Sequence, residues 1–165
     1  GIYTASSSPC FEALVALSTT NATGTIAIVG ISGGGFTGKD YGPTDANLAA
    51  LHGNFFVATS GQSNWVAVLK PSAGTASRYV NTGVPSTTAQ LSPQKLTGCV
   101  APVGNGTFFA KYWIDGKVVG TNLSPAVSGI DGMTPQVSVG AQAAGLAKLM
   151  YFTYYRSWWN LTTKY

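Results

Sequence analysis

Hydrophobic positions along this chain come in short runs, not at helical intervals. Phe11-Glu12-Ala13-Leu14-Val15-Ala16-Leu17 and Thr25-Ile26-Ala27-Ile28-Val29-Gly30-Ile31 are two such runs, separated by the polar stretch 18–24. Apolar runs of this length, rich in β-branched side chains in the second case, suit a pleated and buried surface. Across one polar connection they are expected to pair as antiparallel neighbours. Further strands are expected at 55–58, 65–70, 137–139 and 146–159. The strongest local signal is Thr107-Phe108-Phe109-Ala110-Lys111-Tyr112-Trp113-Ile114-Asp115-Gly116-Lys117-Val118-Val119. Asp-Gly between apolar runs predicts a hairpin, since both residues tolerate the positive φ of a tight turn. Alternation puts Phe108, Ala110, Tyr112 and Ile114 on a core face. Phe109, Lys111, Trp113 and Asp115 fall on a mixed face, expected to be partly covered, as at a subunit contact.

Between these runs the chain reads as loop. The segment 32–43 is dense in Gly, and 71–83 is loop-like around Arg78-Tyr79-Val80. The segment 46–53 is expected to form one or two helical turns, capped by Thr44 or Asp45 and stopped at Gly53. Pro93, Gly98 and Pro102 interrupt 89–103, so any strand there should be short or at an edge. Together these signals predict one all-β domain over 1–165, an antiparallel, jelly-roll-like β-sandwich of about eight to ten strands. No internal repeat and no second domain is expected.

Composition narrows the class. Charged residues make up only 8% of the chain against the usual quarter, while aromatics reach 12%. A disordered chain shows the reverse balance, so this one folds. The net charge of +4 reflects five acids against nine bases, and the bases are scattered singly. A nucleic-acid partner is therefore not expected. There is no run of eighteen apolar residues, so no membrane insertion is expected. With neither an initiating Met nor a signal-peptide pattern, the chain reads as a mature product or an excised domain. Cys10 and Cys99 could pair, but one bridge is no disulfide framework, and a reduced, buried state is expected. Sequons stand at Asn21, Asn105, Asn122 and Asn160, Asn122 being the weakest because Pro125 follows Ser124.

Catalytic motifs fail on context. Gly30-Ile31-Ser32-Gly33-Gly34 fits G-x-S-x-G, and Asp40, Asp45 and His52 follow in hydrolase order. A nucleophile elbow needs a helix after its serine, and more loop follows here. Gly33, Gly38 and Lys39 approach a phosphate loop, but Asp40 replaces the magnesium-binding hydroxyl. His52 and two distant cysteines offer no metal spacing, Asp115 and Asp131 precede Gly in turns, and Glu12 stands alone. No enzyme activity, metal or cofactor is expected. What remains is recognition by loops and aromatics on a stiff scaffold. Trp65, Trp113, Trp158 and Trp159 are expected mainly in core or subunit packing.

The order of these motifs resembles the trimeric head domain of an adenovirus fibre. Gly1-Ile2-Tyr3-Thr4 looks like the family's shaft-to-head boundary, followed by the Ala5 to Cys10 loop and the two apolar strands. Lys111-Tyr112-Trp113-Ile114-Asp115-Gly116-Lys117 is similar to its Tyr-Leu-Asn-Gly-Asp-Lys region. Met150-Tyr151-Phe152-Thr153-Tyr154 is similar to its closing strand. The resemblance implies a homotrimer at the virion surface, assembled in the host nucleus. It would bind a host-cell receptor, either an immunoglobulin-like protein or a sialylated glycan. It implies contacts from Ser6, Ser7, Ser8 and Pro9 after the boundary, with Lys70 and Arg78 as partners for a sialic-acid carboxylate.

Two alternatives follow from the same residues. One is a galectin-like glycan-binding spike head, for which Trp65-Val66-Ala67-Val68-Leu69-Lys70-Pro71 with Arg78-Tyr79 has the right character. The other is a structural capsid or filament subunit, which predicts self-assembly and no specific cell binding.

Overall fold

The computed structural model describes residues 7–18, 25–33, 51–59, 62–70, 78–86, 92–123, 132–141 and 150–159. They hold ten strands: β1 (Pro9–Leu17), β2 (Thr25–Gly33), β3 (His52–Thr59), β4 (Asn64–Lys70), β5 (Arg78–Pro85), β6 (Gln94–Gly104), β7 (Thr107–Ile114), β8 (Lys117–Leu123), β9 (Thr134–Ala141) and β10 (Met150–Trp159). Five form a front sheet in the order β10-β1-β6-β7-β8, and five a back sheet in the order β5-β4-β3-β2-β9. Every pairing is antiparallel, and the two sheets stack as a β-sandwich.

Alternation decides what lies between the sheets. Phe11, Ala13, Val15 and Leu17 of β1 meet Ala27, Val29 and Ile31 of β2, Phe56 of β3 and Trp65 of β4, with Leu96, Ala110, Tyr112 and Ile114 from β6 and β7. Phe56 is the hub. Its ring lies edge-on to Phe11 (6.1 Å), Trp65 (6.3 Å) and Tyr112 (5.5 Å), the geometry that aromatic quadrupoles favour. The Trp65 indole N–H, fully buried, donates to Gln94 Oε1 at 2.8 Å.

The back sheet is buried on its other face as well, where Ile28, Leu51, Phe55, Val57, Val66 and Val68 form a second apolar cluster. Two buried faces explain why β3 and the end of β4 read as unbroken apolar runs. By contrast β7 alternates buried and half-buried positions along its whole length. The outward face of the front sheet is thus partly open along β6 and β7, while Cys10 and Glu12 of β1 are buried on it.

Several sequence expectations are corrected. β1 and β2 are not neighbours: β1 lies between β10 and β6, and β2 between β3 and β9. An apolar run shows that a strand is buried, but it does not name the partner, and a seven-residue connection crosses between sheets as readily as it turns back. Residues 78–83, expected as loop, lie in β5. His52 and Gly53, expected at the end of a helix, begin β3, and the rest of that segment up to residue 50 lies outside the described residues. β6 is an eleven-residue strand in the middle of the front sheet, not a short or edge strand. Gly98 sits where a Cβ would come within 2.5 Å of the Phe11 ring, so the residue that suggested a break is the one that lets this ring pack. Pro102 lies beyond Cys99, past the stretch that β1 covers, where β6 pairs with β7 alone.

Cys10 and Cys99 form a disulfide, against the reduced state expected from their scarcity. The two residues are directly opposed across β1 and β6, with Cα atoms 4.1 Å apart. Strand register, invisible in the spacing of two cysteines, brings them together.

Candidate functional site

Side chains paired across antiparallel strands share a face, so the register maps the open face of the front sheet. One row runs Arg156, Glu12, Thr97, Trp113 across β10, β1, β6 and β7. The next runs Trp158, Cys10, Cys99, Lys111, and a third Tyr154, Leu14, Lys95. Positions between them on β1 and β7 face the core.

At the centre stands Glu12, only 7% exposed. Its Oε1 accepts hydrogen bonds from the Tyr154 hydroxyl at 2.6 Å and from Arg156 Nη2 at 2.9 Å. Its Oε2 accepts from Thr97 Oγ1 at 3.3 Å. Burial alone would raise the carboxyl pKa. The Tyr154 hydrogen bond, the charges of Arg156 and Lys95 and the Thr97 hydroxyl outweigh it and hold Glu12 below the ordinary 4.5. The same hydrogen bond, aided by burial, pushes the Tyr154 phenol above its ordinary value. Locked by three donors and kept ionised, Glu12 fixes the geometry of the face and is poorly suited to giving up a proton.

Two tryptophans flank this centre, each half-buried. Lys111 Nζ lies 5.3 Å from the Trp113 ring centroid, and Arg156 Cζ lies 5.2 Å from that of Trp158, within cation–π range. A shallow open groove of about 240 Å³ is lined by Glu12, Lys95, Thr97, Cys99, Trp113 and Gly116. Its end is set by the Asp115-Gly116 turn, where both residues take positive φ (51° and 78°). Asp115 Oδ1 accepts the Lys95 backbone N–H at 2.8 Å, and its own N–H donates to the Lys95 carbonyl at 2.9 Å. The turn thereby holds the backbone from which the Lys95 ammonium projects. Such a face can stack planar apolar surfaces on indole rings and meet hydroxyls or anions between them.

The receptor-contact residues expected from sequence are not gathered here. Ser6 lies outside the described residues, Ser7 is half-buried, and Ser8 and Pro9 are buried at the start of β1. Lys70 is fully buried on β4 of the back sheet. Arg78 is exposed on β5, where its carbonyl accepts from Asn122 Nδ2 at 3.1 Å. Ser32 of the G-x-S-x-G sequence is within β2, its hydroxyl hydrogen-bonded to Gln136. Of the sequons, Asn105 is exposed on the β6–β7 turn, Asn122 is buried, and Asn21 and Asn160 lie outside the described residues.

Sequence reasoning set Glu12 aside as a lone carboxylate. Its partners Tyr154 and Arg156 are on the last strand, more than 140 positions away. One signal was present: Glu12 has the opposite parity to Phe11 and Ala13, so it belongs to the face turned from the core.

No protein-family model and no curated protein matches the chain. Among solved structures it is similar to the endo-β-1,4-glucuronan lyase of the fungus Trichoderma reesei, with a TM-score of 0.48 and 13% identity, over 84% of this chain and 58% of that one. The chain thus spans less than two thirds of that enzyme's length.

Proposed function

We propose that the chain is an attachment domain that binds glycans on the open face of its front sheet. The observation that carries this reading is the pair of outward tryptophans, Trp113 and Trp158, set either side of the locked Glu12–Tyr154–Arg156–Thr97 cluster. Indole faces stack on the C–H faces of sugar rings, and the hydroxyls and guanidinium ordered around Glu12 keep acceptor and donor capacity for sugar hydroxyls at little entropic cost. Strand spacing puts the two tryptophan backbones about 16 Å apart, which suits an oligosaccharide better than a single sugar. The Cys10–Cys99 disulfide supports work in an oxidising, extracytoplasmic setting over residence in a nucleus. A glycan-array screen followed by calorimetry on the best ligand tests the reading. Trp113→Ala and Trp158→Ala are each expected to weaken binding about tenfold, roughly 1.4 kcal/mol. An array without hits would defeat it.

A second reading, the trimeric receptor-binding head of the fibre-head resemblance, is favoured by β10. This strand is an outer edge of its sheet, and Tyr151, Phe152 and Trp159 on it are about half exposed. Aromatics on an open edge are material for a contact between copies. Sedimentation at micromolar concentration tests it, a trimer being expected and a monomer excluding it.

A further inference from the structure

We infer that the preferred ligand of this face is an acidic glycan, and that its carboxylate or sulfate is held by Lys95 beside Trp113. This rests on the glycan-binding reading and adds the charge of the ligand to it.

Most of the charge on this face is already in use. Two carboxylates belong to the groove and its end, Glu12 and Asp115. Glu12 accepts from Arg156, Tyr154 and Thr97, so it has little capacity left for sugar hydroxyls. Asp115 is drawn into the turn by the Lys95 backbone N–H. Among the described residues, the cations on the face are Arg156, Lys95 and Lys111. Arg156 is taken up by Glu12 and Trp158, and Lys111 stands over Trp113 outside the groove lining. Lys95 lines the groove itself. A ring stacked on Trp113 would lie one strand from it, since Thr97 pairs with Trp113 and Lys95 is two residues along β6 from Thr97 on the same face. An anionic substituent on that ring reaches a flexible ammonium, which meets carboxylate and sulfate alike as a point charge. A neutral sugar would offer this cation no anion beyond Glu12, whose close ion pair is with Arg156 and whose ionisation Lys95 supports only through its field.

The test compares matched ligands on the whole chain by calorimetry: an oligoglucuronate against the glucose oligomer of equal length, and a sulfated against an unsulfated oligosaccharide. The acidic member of at least one pair should bind ten times tighter or more, and the pair that shows it identifies carboxylate or sulfate as the group held. That advantage should shrink severalfold between about 0.05 and 0.5 M salt, where the screening length falls from over 10 Å to a few ångströms. Lys95→Met should bring the acid-to-neutral ratio close to one, Lys95→Arg should restore most of it, and Arg78→Ala on the back sheet should leave it unchanged. Equal affinity for acidic and neutral partners overturns the inference and leaves the glycan reading standing. So does a ratio that survives Lys95→Met or is lost in Arg78→Ala. Binding of no sugar in either pair or on the array defeats the glycan reading itself.

Discussion

Glu12 stands where a carboxylate is costly to keep, on a strand otherwise almost wholly apolar, and its three donors are what make it tolerable. Because its pKa is depressed in the folded state, the stability it contributes is present above the ordinary 4.5. That stability is lost as pH falls through the lower folded value. Glu12→Gln keeps the shape but gives up the charge-assisted bonds, and should cost about 1–3 kcal/mol at pH 7. Urea unfolding of both proteins from pH 7 to pH 2 checks the sign: the gap should close at the acid end. A gap that stays constant with pH would mean that packing, not charge, holds the cluster. Tyr154→Phe probes the same cluster from β10. Removing the 2.6 Å bond should let the Glu12 pKa rise toward its ordinary value, visible as a shifted carboxyl titration by NMR.

Elements differ in how far they could be read in advance. The turn of the β7–β8 hairpin and the whole of β7 were legible, because turn chemistry and alternation are both local, and the predicted core residues Phe108, Ala110, Tyr112 and Ile114 are all buried, although β8 runs past Val119 to Leu123. β3 and β4 were legible as strands through their apolar runs. β5 was not: its exposed and half-buried positions, including Gly83 and Pro85, carry turn residues on an edge strand with a single partner. β6 was hidden for a different reason. Gly98 looks like a break, yet it answers to a ring on the neighbouring strand, a contact that sequence proximity cannot show. Gly98→Ala should therefore behave as overpacking, costing about 1–3 kcal/mol. The nearest atoms belong to the Phe11 ring, so Phe11→Leu in the same chain should recover part of the loss. Chemical denaturation of the two single variants and the double variant measures the coupling. Simple additivity would mean that the strain at Gly98 arises elsewhere.

Across the whole molecule, the candidate site and the disulfide share one cause, the placing of β1 between the last strand and a middle one. That long-range closure brings Glu12 to Arg156 and Cys10 to Cys99. It is also why neither was legible: in the sequence each stands alone, and only the register joins them. The disulfide closes a loop across a separation of 89 residues, long enough for loop-closure entropy to contribute up to about 4–5 kcal/mol. The double variant Cys10→Ser/Cys99→Ser should consequently melt roughly 10 °C lower in a chain of this size, and reductant should lower the native protein similarly while leaving the variant unmoved. The β1–β6 pairing extends from Cys10 to Val15 on five further residue pairs, so backbone hydrogen bonds keep Glu12 opposite Thr97 without the bridge. Below its melting range the variant should then bind glycan within a few-fold of the native chain. A folded variant that has lost binding would instead make the sulfur bridge, whose Cys99 lines the groove, part of the ligand contact itself.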